Sequence, residues 1–82
     1  ILPAMPTIWR ERAYRFFFYA SDASEPMHVH VDGNGGSAKF WLRPPRLRSS
    51  RGLTRRELSR IEGIVLARHE QFVRAWNDYF ES

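Results

Sequence analysis

Two blocks of alternating residues constrain this chain more than anything else in it: Glu25-Pro26-Met27-His28-Val29-His30-Val31 and Ala38-Lys39-Phe40-Trp41-Leu42. Successive side chains on a strand point to opposite faces of a sheet. As strands, the blocks place His28 and His30 on one face and Val29 and Val31 on the other. Lys39, Trp41 and Arg43 likewise lie opposite Ala38, Phe40 and Leu42. Gly33-Asn34-Gly35-Gly36 lies between them, and glycine and asparagine tolerate the positive φ of a tight hairpin turn. The pattern describes a sheet with an apolar back and a front of imidazole, cationic and aromatic groups. Function is to be sought on that front.

The remaining segments build around this hairpin. Thr7–Glu11 alternates weakly and predicts a first strand. Ala13–Ala20 is dense in aromatic residues and predicts a second, with a hairpin link near Arg12. Ser21–Pro26 reads as a polar loop. His28–Asp32 and Ser37–Arg43 are the next strands, and Pro44-Pro45 ends the ladder because proline has no N–H to donate. Arg46–Ser50 is at most a short edge strand, and Arg51-Gly52 a break. Thr54 and Glu57 then have the spacing of a capping box. Leu58, Ile61, Val65, Phe72, Trp76 and Phe80 recur at helical steps, with Ile64, Val73 and Tyr79 widening the stripe. One helix from Thr54 to about Phe80 would be ~40 Å long. Gly63 is expected to mark a bend or a close contact within it.

The predicted fold class is α+β: an antiparallel meander of about four strands with one long C-terminal helix packed on one face. The helix stripe is expected to cover Phe16, Phe18, Val29, Val31, Ala38, Phe40 and Leu42. Eighty-two residues make one domain. Met5 reads as a natural start, so the expected domain is 5–82, with residues 1–4 a tag or upstream remnant.

Composition excludes some chemistries. The chain has no cysteine, hence no disulfide, thiolate zinc site or catalytic thiol. No apolar run is long enough to span a bilayer, and no signal peptide is visible. A cytoplasmic protein with no membrane association is expected. The net charge is +4, and it is unevenly spread. Lys39, Arg43, Arg46, Arg48, Arg51, Arg55, Arg56 and Arg60 face only Glu57 between residues 39 and 60, whereas the C-terminal stretch is slightly acidic. Such asymmetry points to a polyanionic partner, nucleic acid foremost.

Three readings of the histidine pair stand side by side. His-x-His suits zinc or nickel, yet a site needs three or four ligands. Asp32 shares the strand parity, and His69 is expected behind the sheet, out of reach. No metal and no cofactor is therefore expected. The second reading is acid–base chemistry by His28 and His30 with Lys39, a metal-independent ribonuclease in which cations stabilise the charged transition state. The third is structural pairing with neighbours. The rings and cations carry a related choice. Arg15, Phe17, Tyr19, Trp41, Arg43, Arg46 and Arg48 suit single-stranded nucleic acid, whose bases stack on rings while arginine meets phosphate. They equally suit a homodimer or partner interface. Gly33–Gly36 is not a phosphate loop, because it lacks the Gly-Lys-Ser/Thr ending and precedes a strand.

The chain resembles the small bacterial domain-of-unknown-function family numbered 4160. The resemblance rests on Met5-Pro6-Thr7-Ile8, Tyr14-Arg15-Phe16-Phe17-Phe18-Tyr19, the His-Val-His-Val and Ala-Lys-Phe-Trp-Leu blocks, and the helix from Gly52-Leu53 to Trp76. Met27 departs from a pattern that more often has a second proline there. The resemblance implies a neighbouring gene for a small antitoxin-like protein, and hence a toxin–antitoxin-type module with this chain as the toxin-like half. Carried over by position, its candidates are Arg15, His28, His30, Lys39 and Trp41. The expected function is a small basic toxin-like component binding or cleaving RNA through an open sheet face, with a cognate antitoxin-like partner. The alternative is a non-enzymatic protein-binding or dimerisation module.

Overall fold

The computed structural model describes residues 6–81, so the expectation about residues 1–4 lies outside it. Five strands form one antiparallel sheet in sequence order: β1 (Thr7–Glu11), β2 (Tyr14–Phe17), β3 (His28–Gly33), β4 (Gly36–Leu42) and β5 (Pro45–Arg51). Two helices follow, α1 (Arg55–Ala67) and α2 (His69–Glu81). No helix among the described residues is long and apolar enough to cross a membrane.

The strand count corrects the expected four. The segment after Pro44 pairs with β4 from Leu42↔Pro45 to Ser37↔Arg51, with one bulge opposite Lys39/Phe40. Pro45 is tolerated as the first residue of an edge strand, where its missing donor breaks no ladder. The β3–β4 turn follows the sequence closely. Asn34 (φ 50°) and Gly35 (φ 79°) both lie at positive φ, the requirement of a two-residue hairpin turn matched to strand twist. Arg12 (φ 57°) turns β1 into β2 in the same left-handed region.

The expected single helix is two. Arg68 separates them, yet its N–H still bonds Ile64 O and its carbonyl still accepts from Phe72 N, each at 2.9 Å. Neither glycine nor proline sits at the break. It coincides with His69, whose Nε2 meets the carbonyl of Leu42 at the end of β4. Gly63, read as a bend or close contact, is neither: a Cβ there would meet nothing within 4 Å. The capping box forms as expected, with Glu57 N–H on Thr54 Oγ1 (3.1 Å) and Thr54 N–H on Glu57 Oε1 (2.8 Å). The same carboxylate accepts from Asn34 Nδ2 at 3.0 Å, which ties the hairpin turn to the start of α1. These bonds hold the Glu57 carboxyl below its ordinary pKa.

Phe16, Phe18, Val29, Val31, Ala38, Phe40 and Leu42 are all buried against Ile61, Ile64, Val65, Phe72 and Trp76. The helices therefore cover the back of the sheet as the parity argument required. Phe16 meets Phe72 and Phe18 meets Trp76 at ring-centroid distances of 5.3 Å. Fully burying each such side chain stabilises the fold by ~1.5–3 kcal/mol.

Candidate functional site

The strand register fixes the front of the sheet. Arg15↔Asp32, Phe17↔His30, His30↔Lys39, Lys39↔Ser49 and Trp41↔Arg46 are cross-strand neighbours. The expected constellation is thus largely on one face, but that face is not open. After β2 the chain makes a single 3-10 turn, Ala20–Ser24, which folds back over the start of β3. Asp22 N–H bonds the Tyr19 carbonyl at 3.1 Å while Tyr19 N–H bonds Asp22 Oδ2 at 2.8 Å. This reciprocal pair closes the turn and buries Asp22 to 6% exposure.

Beneath that turn Asp22 meets both histidines of β3. Its Oδ1 is 3.1 Å from His28 Nε2, and its Oδ2 is 3.1 Å from His30 Nε2. His28 is fully buried, walled by Trp41 and by Trp76 of α2 at centroid distances of 5.8 and 5.2 Å. Its Nδ1 lies 2.8 Å from the Pro26 carbonyl. His30 stands on the accessible side, stacked on Phe17 and edge-on to Tyr19. Its pKa is lowered from the ordinary imidazole value, chiefly because burial disfavours the cation, with the nearby Asp22 charge opposing.

Exposure thus differs from expectation at two positions. Phe17 is 1% exposed, capped by the Arg15 guanidinium 4.2 Å from its ring centre, and offers no platform for a base. His28 is likewise sealed from substrate. Both are placed on the front by parity, but Arg15, Tyr19 and His30 cover Phe17, while Asp22, Trp41 and Trp76 enclose His28. Tyr19 remains exposed and Trp41 half-buried.

The cations sort into bound and free. Lys39 Nζ is held by Glu25 at 2.6 Å, which keeps the Glu25 carboxyl below its ordinary pKa. Arg15 pairs loosely with Asp32 at 3.8 Å and donates to Thr7 Oγ1. Arg46, Arg48 and Arg51 on β5 are exposed, and no ion pair among the described residues involves them. Arg43 is apart from this group. It sits in the β4–β5 turn and lines a different cleft with His69 and Arg74. His69 is engaged by the Leu42 carbonyl, away from the other two histidines, as expected.

Between the 3-10 turn and β5 lies a recess of about 280 Å³, lined by Tyr19, His30, Asp32, Lys39, Ser49 and Arg51. Ligand pockets usually run to about 300–1,000 Å³, so this one has room for a single ring or phosphate group. Two residues of this face lie outside the sequence-based candidates: Arg51 in the recess and Asp22 beside the histidines. Arg51 was read as part of a break after the last strand. Asp22 was read as solvated loop, although its position three residues after Tyr19 is the spacing of a capping carboxylate.

A family profile described as "Domain of unknown function (DUF4160)" matches residues 13–77. That span contains β2 to β5, α1 and most of α2, together with Asp22, both β3 histidines and the β5 arginines. No curated protein and no solved structure matches the chain.

Proposed function

We propose that this chain, which belongs to the DUF4160 family, binds single-stranded RNA along β5 and the adjoining recess. The observation that carries the reading is the row of exposed arginines, Arg46, Arg48 and Arg51, which form no ion pair among the described residues, on an edge strand beside that recess. Arg55, Arg56 and Arg60 at the start of α1 extend the positive surface. A phosphate backbone would follow the arginines, and one base or phosphate would enter the recess against Tyr19.

Binding is favoured over cleavage. A two-histidine ribonuclease requires both imidazoles to reach the substrate, and His28 is sealed while Lys39 is neutralised by Glu25. An aromatic docking face for a partner or second copy is weakened by the burial of Phe17. In this reading the chain is the basic, toxin-like half of a bacterial toxin–antitoxin-type module, and its antitoxin-like partner covers the same arginine edge.

Fluorescence anisotropy with a labelled single-stranded RNA tests this as a function of salt. Each neutralised phosphate contributes about −0.7 to the slope of log K against log salt. Replacing Arg46, Arg48 and Arg51 by alanine removes three such contacts, so the slope is expected to shallow by about 2. An unchanged slope and affinity in the triple variant would overturn the assignment.

A further inference from the structure

We propose that Asp22, His28 and His30 form a binding site for one divalent transition-metal ion of the zinc, nickel and iron class. The inference does not depend on the RNA reading. One nitrogen of each imidazole and one carboxylate oxygen lie within 4.8 Å of one another.

The tautomer of His28 carries the argument. Its Nδ1 faces the Pro26 carbonyl at 2.8 Å, and a carbonyl can only accept, so Nδ1 bears the proton. With Nδ1 bearing the ring's one proton, Nε2 presents a lone pair. That atom is fully buried, 3.1 Å from Asp22 Oδ1, and forms no hydrogen bond. A carboxylate oxygen also offers only lone pairs. Two acceptors then face each other, and a cation between them satisfies both. A ring fixed through its far nitrogen by a backbone carbonyl, with the near nitrogen bare, is the arrangement metal-binding histidines adopt.

The spacing agrees. Bonds of about 2.0–2.1 Å to a shared ion separate adjacent ligand atoms by about 2.9 Å in octahedral and 3.3 Å in tetrahedral geometry. Asp22 Oδ1 lies 3.1 Å from His28 Nε2 and 3.3 Å from His30 Nε2, while the three ligand atoms together lie within 4.8 Å, so a bound ion would draw the two imidazoles closer to each other. The backbone presents the group: β3 sets the histidines two residues apart and Tyr19 N–H holds the carboxylate. Two imidazoles and one carboxylate select borderline transition ions over magnesium or calcium, which take oxygen shells. Three protein ligands leave at least one position free, on the His30 side that borders the recess.

Metal-stripped full-length protein titrated calorimetrically with Zn²⁺ and Ni²⁺, without nucleic acid, provides the test. One ion per folded chain is expected, with visible d–d absorption when Co²⁺ is substituted. Asp22→Ala and His30→Ala should each weaken binding by at least ~10-fold, and His69→Gln should leave it unchanged. If Asp22→Ala fails to fold, the half-exposed His30 position decides alone. No binding by the folded wild type would overturn the proposal and leave an imidazolium–carboxylate pair. Full binding by His30→Ala, loss in His69→Gln, or tighter binding of Mg²⁺ than of Zn²⁺ would overturn it equally.

Discussion

Asp22→Ala removes the group that shapes the front of the sheet, and its cost can be worked from the contacts. The carboxylate, itself 6% exposed, accepts from Tyr19 N–H at 2.8 Å and lies 3.1 Å from each of two imidazole nitrogens. A charge-assisted hydrogen bond is worth about 1.5–3 kcal/mol, and orphaning a buried donor adds a similar desolvation penalty. Relief from burying a carboxylate offsets part of this. A net loss of roughly 3 kcal/mol follows, a large share of the ~4–12 kcal/mol expected for a domain of this size. At about 4–8 °C per kcal/mol the Tm should fall by roughly 12–24 °C. Asp22→Asn keeps an acceptor for Tyr19 N–H and offers an amide donor to one imidazole, so it should lose about half as much. Urea denaturation and thermal melts in EDTA measure both variants without any contribution from bound metal. An Asp22→Ala protein within ~0.5 kcal/mol of wild type, or no more affected than Asp22→Asn, would refute the role given to this turn.

Gly63→Ala should stabilise the protein by up to ~1 kcal/mol in urea melts, because the position is exposed, helical and clear of neighbours within 4 Å; destabilisation would mean an undetected close contact. Thr54→Ala should cost ~1 kcal/mol by loss of the α1 cap, and an unchanged midpoint would remove the capping box from the account. The lowered Glu57 pKa sets a pH dependence. Its folded value lies below the unfolded one, so its stabilising contribution is complete above about 4.5 and disappears as pH falls through the folded value. Melts of wild type and Glu57→Gln should therefore differ near neutrality and converge in acid; a constant gap would contradict this. Trp76→Ala should cost ~3–5 kcal/mol and open His28 to solvent, visible as faster exchange of its ring proton by NMR.

How much of this was legible before the structure depended on range. The period-two blocks placed Val29, Val31, Ala38, Phe40 and Leu42 on the covered face because alternation is a local property of a strand. The helical stripe from Leu58 to Phe80 found its sheet for the same reason. The same stripe concealed the break at Arg68, since the apolar spacing runs through it; the break coincides with a tertiary contact, His69 on the Leu42 carbonyl. Parity also overstated the open face. It correctly put Phe17 and His28 on the front, but their burial is decided by side chains that alternation does not report: Arg15 over Phe17, and Asp22 and Trp76 around His28. Asp22 was invisible as a site residue because its eight-residue distance from His30 has meaning only once the 3-10 turn folds back. Asp32, which shares the histidines' parity, is exposed beside Arg15.

The functional account stands most directly on where RNA touches this 9.7 kDa chain. An amide correlation spectrum recorded during titration with a short single-stranded RNA reads that surface residue by residue. Shifts are predicted along β5 from Arg46 to Arg51, at Lys39 and Trp41 opposite, and at Tyr19 and His30 around the recess, diminishing as salt rises. Shifts confined to α2 or to the Arg43 turn, or none at low salt, would contradict it.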